Sequence, residues 1–177
     1  MKQIMKQFLG LSIFLVLITS NNIFGQDTTK CNNKYFNDQL LNKLVGNWDL
    51  KGIIENRPVA NNFTAQWVLN HQFIELNLID TAKIPTYAAK VFIGYDCVSE
   101  RYIVHWIDNF GGRFSETIGY GQQKGNSIEF RFEYSDSPFI NKFIYNNKKD
   151  TWQLNMTIKN KKGEWVIFGD EFLTRKN

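Results

Sequence analysis

From Gly46 to the end of the chain, apolar side chains recur at every second position, and turn-forming residues break the pattern about every ten residues. Trp48 and Leu50 alternate with Asn47, Asp49 and Lys51. Phe63, Ala65, Trp67 and Leu69 alternate with Thr64, Gln66 and Asn70. The same pattern returns at Ile128, Phe130, Phe132 and Tyr134, and again at Trp152, Leu154, Met156 and Ile158. Successive side chains of a strand point to opposite faces, so a period of two gives one dry face and one wet face, as in antiparallel sheets. Turn signals fall at Glu55-Asn56-Arg57-Pro58, Asn109-Phe110-Gly111-Gly112, Lys124-Gly125-Asn126, Asn146 to Asp150 and Lys161-Lys162-Gly163. They divide the chain into about ten strands, at 47–55, 62–69, 72–80, 87–95, 100–108, 113–121, 127–134, 138–145, 151–159 and 164–174. Proline, which cannot donate to a ladder, is nearly absent from them.

Ten short strands joined by hairpins predict a mainly β fold, a single antiparallel up-and-down β-barrel. Closure removes the sheet edges that so aromatic a chain would leave exposed to aggregation. One helical pattern precedes the strands. Phe36, Leu40, Leu41, Leu44 and Val45 share one helix face, Asn32 or Asn33 caps its start, and Gly46 stops it. This N-terminal helix is expected to lie across one barrel mouth with its apolar face inward.

The first 25 residues read differently. Lys2 and Lys6 precede an apolar run from Phe8 to Ile18 and a more polar exit from Thr19 to Gly25. That is the layout of a secretory signal peptide, and a run of roughly eleven residues is too short to span a bilayer. The domain reading is therefore a signal peptide at 1–25, a flexible leader at 26–33 and the barrel at 34–177. The processed protein is expected to be exported, periplasmic or secreted, with no membrane anchor. Without Lys2 and Lys6 the formal charge of +4 falls to +2. With the basic residues scattered, this argues against a nucleic-acid partner. Cys31 and Cys97 are the two cysteines and form a candidate disulfide in an oxidising compartment. Pairing would close a loop of about 65 residues and stabilise the fold by roughly 4 kcal/mol; two unpaired small residues are the other reading. No metal site is expected, since two thiolates without neighbouring ligands do not make one.

Several stretches together resemble a known family. Leu44-Val45-Gly46-Asn47-Trp48 opens the first strand with Gly-x-Trp, as in the calycin superfamily of lipocalins and their relatives. Phe92 to Asp96, Tyr102 to Asp108 and Glu116 to Gly119 follow in order, and Phe172-Leu173-Thr174-Arg175 closes the chain. Over roughly residues 40–175 this is similar to the bacterial DUF1579 family of calycin-like barrels. Cys97 departs from the family's usual Pro and His105 from its usual small polar residue. The resemblance implies a barrel and carries no catalytic residue across.

Chemistry-bearing residues are few. Asp96 and Asp108 end consecutive antiparallel strands, which places them on the order of 25 Å apart. Paired-carboxylate chemistry needs less than about 10 Å, so both are read as turn residues bonding nearby amides. His71 sits in a polar corner and is expected to be exposed. Trp48 is read as a plug at the barrel floor. His105 is read as a half-buried side chain bonded to a neighbour. The alternatives for it are a pocket donor, a general base or an axial haem ligand. Haem-binding barrels of the nitrobindin type carry their histidine near the chain's end, where this chain has none, so no cofactor is expected. Trp67, Trp106, Lys90, His105, Glu116, Lys142 and Glu171 remain as candidate ligand contacts. Trp67 and Trp106 are aromatic walls; Lys90, Glu116, Lys142 and Glu171 are charges that would be costly in a lumen unless bound to a ligand.

Three functions follow. The first is an exported binding module holding a small, largely apolar molecule in the barrel. The second is a dimeric interaction protein with a filled barrel, using strands that are apolar on both faces. The third is an enzyme of unknown class with His105 as base.

Overall fold

The structure, a computed structural model, describes residues 36–176. The signal segment, the leader, Cys31 and the caps expected at Asn32 and Asn33 lie outside the described residues. In chain order the elements are α1 (Gln39–Asn42), β1 (Gly46–Ile54), β2 (Arg57–Val68), β3 (Phe73–Asp80), β4 (Ala88–Asp96), β5 (Arg101–Asp108), α2 (Gly112–Ser115), β6 (Ile118–Lys124), β7 (Ser127–Glu133), β8 (Pro138–Asn146), β9 (Thr151–Lys159) and β10 (Trp165–Arg175). Each strand pairs antiparallel with the next, and β1 pairs with β10, so the sheet is a closed ten-stranded barrel. The closing seam runs from Trp48 opposite Arg175 to Ile54 opposite Gly169. No helix among the described residues is long and apolar enough to cross a membrane.

The alternation sets the core. Trp48, Leu50, Phe63, Ile74, Leu76, Val91, Ile93, Val104, Ile128, Phe130, Phe143, Trp152, Leu154 and Leu173 are buried, and their polar neighbours in sequence face out. Pro58 is tolerated in β2 because β3 reaches only to Asn61, which pairs with Asp80. Residue 58 therefore has a neighbour on one side only, Ile53 of β1.

Two expectations are corrected. Among the described residues the N-terminal helix is one turn, Gln39–Asn42, not a helix running through Phe36 to Gly46, and its cap is Asp38. The Asp38 carboxylate accepts from Leu41 N at 2.7 Å and from the Tyr102 hydroxyl. Phe36 reaches the barrel from extended chain, donating its N–H to His71 O at 3.1 Å. A face at offsets of four, five, eight and nine thus meets the barrel as one helical turn that follows an extended Asp38 and runs into a turn at residues 43–44. The strand expected at 113–121 is displaced as well: residues 112–115 form α2 and β6 starts at Ile118. Gly111 takes φ +99°, a conformation that favours glycine, and breaks the extended path. Ser115 then folds back on β5, its carbonyl accepting from His105 Nε2 at 2.7 Å.

A candidate site at the open end of the barrel

The two ends of the barrel differ in how far their inward residues are buried. At the α1 end the interior is solid. Trp48 and Trp152 have no exposed surface, and Leu41 and Leu44 of the α1 segment sit on them. Trp48 Nε1 donates to Leu44 O at 2.7 Å. Arg175 Nη1 and Nη2 donate to Val45 O at 2.7 Å and Lys43 O at 2.9 Å, and the guanidinium lies 3.8 Å from the centroid of the Trp48 ring. Gly46, at φ +127°, is required here, because a Cβ would fall 2.6 Å from Arg175 Nη1. Phe36 packs edge-on against Trp67, and Trp67 stacks on His71 with centroids 4.1 Å apart. Trp67 Nε1 donates to Asn42 Oδ1 at 2.8 Å. This end is the closed floor, and the filled core extends through the middle of the barrel.

At the other end the inward face stays half-buried: Trp106 and Asp108 of β5, Tyr134 after β7, Phe139 of β8, and Tyr87 from the β3–β4 loop. Two segments are fastened over this mouth. Asp80 accepts from Ala82 N at 3.0 Å, Thr86 N at 3.1 Å and Thr86 Oγ1 at 2.8 Å, which shapes the loop 81–87 and holds its own carboxyl below the usual range. Asn109 Nδ2 donates to Thr86 O at 3.0 Å, joining that loop to the segment that carries α2. Phe110 then packs on Tyr87 with centroids 5.6 Å apart, and Trp106 Nε1 donates to the Tyr87 hydroxyl at 3.1 Å.

The polar groups of this end are acceptors without counter-charge. Glu171 is only 5% exposed and Asn141 only 2%. Asn141 Oδ1 is buried without a hydrogen-bond partner. Glu171 lies on the inner face of β10 in phase with Leu173, opposite Gly52 of β1, where there is no side chain to meet it. Burial, and then the negative charge of Asp170, push its carboxyl up to about 7. Burial also raises Asp108, against a hydrogen bond from Phe110 N. Burial raises the Tyr87 phenol as well, and the charges of Asp108 and Glu171 add to the effect, so the three groups act on one another. No lysine or arginine is among the buried residues described.

Of the residues expected to contact a ligand, Trp106 and Glu171 come to this interior. Trp67 faces inward but belongs to the floor. Lys90 lies on the outer face, 3.1 Å from Glu75. His105 is also outward, and its Nε2 carries the proton because a carbonyl can only accept. Glu116 is exposed after α2, and Lys142 faces outward between Glu129 and Asn155. Asp96 and Asp108 are turn residues at opposite ends of the sheet, as read from the sequence, accepting from Val98 N and Phe110 N at 3.0 Å each. Asp108 has a second role, since its carboxyl also faces the mouth. His71 is not an exposed corner residue, because its Nδ1 bonds Phe36 O at 2.8 Å under the Trp67 ring. Cys97, in the β4–β5 turn, is disulfide-bonded.

Sequence reasoning missed Tyr87 and Asn141. Tyr87 precedes a strand and looked like its first residue. Asn141 carried a signal: it is a polar residue in phase with Phe139 and Phe143. The register shift between Ile167 and Gly169 also broke the count in β10. It puts Phe168 against Phe139, at 5.4 Å between centroids, and leaves Phe172 exposed.

A closed antiparallel barrel whose floor is sealed by a Gly-x-Trp tryptophan and a closing-strand arginine is consistent with the calycin-like fold. The family model described as protein of unknown function (DUF1579) matches residues 37–170, and the chain belongs to that family. None of the curated proteins matches the chain.

Proposed function

We propose that this protein is a binding module, exported as its first 25 residues suggest, that holds a small, largely apolar molecule at the open end of the barrel. What supports the reading is the contrast in burial along one inner face. Trp48 and Trp152 at the floor have no exposed surface, whereas Trp106, Tyr134 and Phe139 remain partly open to solvent. Aromatic walls with a few convergent polar groups are the usual make-up of a small-molecule site. Because the floor and middle are filled, the ligand sits near the mouth and does not thread the barrel.

The test is an NMR titration of 15N-labelled protein with 2-phenylethanol, a neutral apolar probe. The indole N–H of Trp106, assigned with Trp106→Phe, is expected to shift while those of Trp48 and Trp152 stay still. No shift at Trp106, or shifts confined to the floor tryptophans, would overturn the reading. One observation favours the alternative of a dimeric interaction protein: Ile84, Phe110, Phe114 and Ile167 are exposed around the same mouth. A dimer in sedimentation at micromolar concentration would support that alternative.

A further inference from the structure

We infer that the open end selects a small apolar molecule carrying an ammonium group, seated between the Glu171 carboxylate and the Asn141 amide oxygen. The inference rests on the binding reading above and names the head group that the site takes.

Three observations carry it. Glu171 is inward, nine-tenths buried, and has no hydrogen bond or ion pair among the described residues. Asn141, two strands away on the same inner wall, holds a buried oxygen without a donor. Buried polar groups in folded proteins are normally paired, so two orphan acceptors on one wall point to a donor that the chain does not supply. The rest of the mouth agrees. Asp108 adds a second carboxylate, Trp106 spends its N–H on Tyr87, and no lysine or arginine is among the buried residues described. A carboxylate ligand would meet repulsion from Glu171 and Asp108. A hydroxyl would satisfy one acceptor and leave a charge unpaired. An ammonium supplies several N–H donors and the missing charge, and its apolar body would lie against Trp106 and Tyr134.

The same groups predict a pH dependence. Glu171 faces Gly52 of β1 and Leu154 of β9, neither of which titrates. Its titratable neighbours are Asp170 on its own strand, Tyr87 from the loop and, around Tyr87, Asp108 and Tyr134. All are acidic, so none of them competes with a cation. With the carboxyl titrating at about 7, an ammonium finds it half-neutral near that pH and ionised above it. The ligand's own amine, with an ordinary pKa near about 10, stays charged throughout.

The experiment compares phenethylamine, 2-phenylethanol and phenylacetate by the same indole titration, in wild type and in Glu171→Gln. In wild type at pH 8 the amine is expected to bind about tenfold or more tighter than the alcohol, with the carboxylate weakest. Glu171→Gln keeps size and shape and removes the charge, so the amine is expected to lose its preference over the alcohol. Calorimetry of the amine at pH 6.5 in two buffers of different ionisation enthalpy is expected to show proton release, which a role for Glu171 in packing alone would not give. Equal binding of amine and alcohol at Trp106, or tighter binding of the carboxylate, overturns this inference and leaves the open-end site standing. No shift at Trp106 with any of the three compounds overturns both.

Discussion

The two ends of this barrel are built from the same alternating strands but differ in which polar groups they leave unpaired. At the floor, polar atoms of the cap segment and the last strand find partners. Asp38 accepts from Leu41 and Tyr102, and Arg175 covers two carbonyls of the α1 segment and the face of Trp48. At the mouth, Glu171 is buried with no hydrogen bond or ion pair among the described residues, and Asn141 Oδ1 is buried without a partner. Satisfied polar groups around fully buried aromatics build stability, whereas orphaned acceptors cost it. Unpaired buried donors occur toward the floor as well, at Trp152 Nε1 and Arg101 Nε, so what sets the mouth apart is that its orphaned groups are acceptors.

The comparison breaks most visibly in stability. Trp48→Ala should destabilise the protein by about 3–5 kcal/mol in denaturant unfolding, because it empties the floor. Trp106→Ala should cost less than about half of that, since its ring is already partly open to solvent. Equal losses would mean that the two ends are equally packed.

Glu171 gives the next largest effect, with the sign set by its raised pKa. Its folded carboxyl titrates at about 7 against the usual 4.5, so the native state binds more protons than the unfolded chain between those values. Stability should therefore fall as pH rises from 4.5 to 7 and level off above it, by up to about 3 kcal/mol from this group. Glu171→Gln should flatten that slope and raise stability at pH 8. Chemical unfolding at a series of pH values checks this; an unchanged slope in the variant would remove Glu171 from the comparison.

Arg175→Met is smaller. It deletes the hydrogen bonds to Lys43 O and Val45 O and the pairing with Asp150, and should cost about 2 kcal/mol. Hydrogen exchange should show the loss as faster exchange of the Leu44 amide, with amides of β5 unchanged at the mouth.

The alternation and the turn residues make the barrel legible before any coordinates. Both are local signals: a side chain's face depends on the parity of its position, and a turn depends on three or four residues. Trp48 as a floor plug, and Asp96 and Asp108 as turn residues, follow from the same reasoning. The spacing of a helix face overstates the helix here because one capped turn followed by a second, non-helical turn satisfies it equally. The cap that decides the matter is a contact from Asp38 to Tyr102, sixty-four residues away.

What the sequence by itself determined was the number of strands, their approximate limits, the inward set in the regular strands and the pairing of neighbours into an up-and-down barrel. Only the tertiary structure decided which charges face inward, which polar atoms lack partners and how the mouth is covered. Those outcomes depend on β1 meeting β10, on a register shift in the last strand and on loops from residues 81–87 and 109–117 meeting above the mouth. Each of these joins positions far apart in the chain, and no local pattern of residues encodes it.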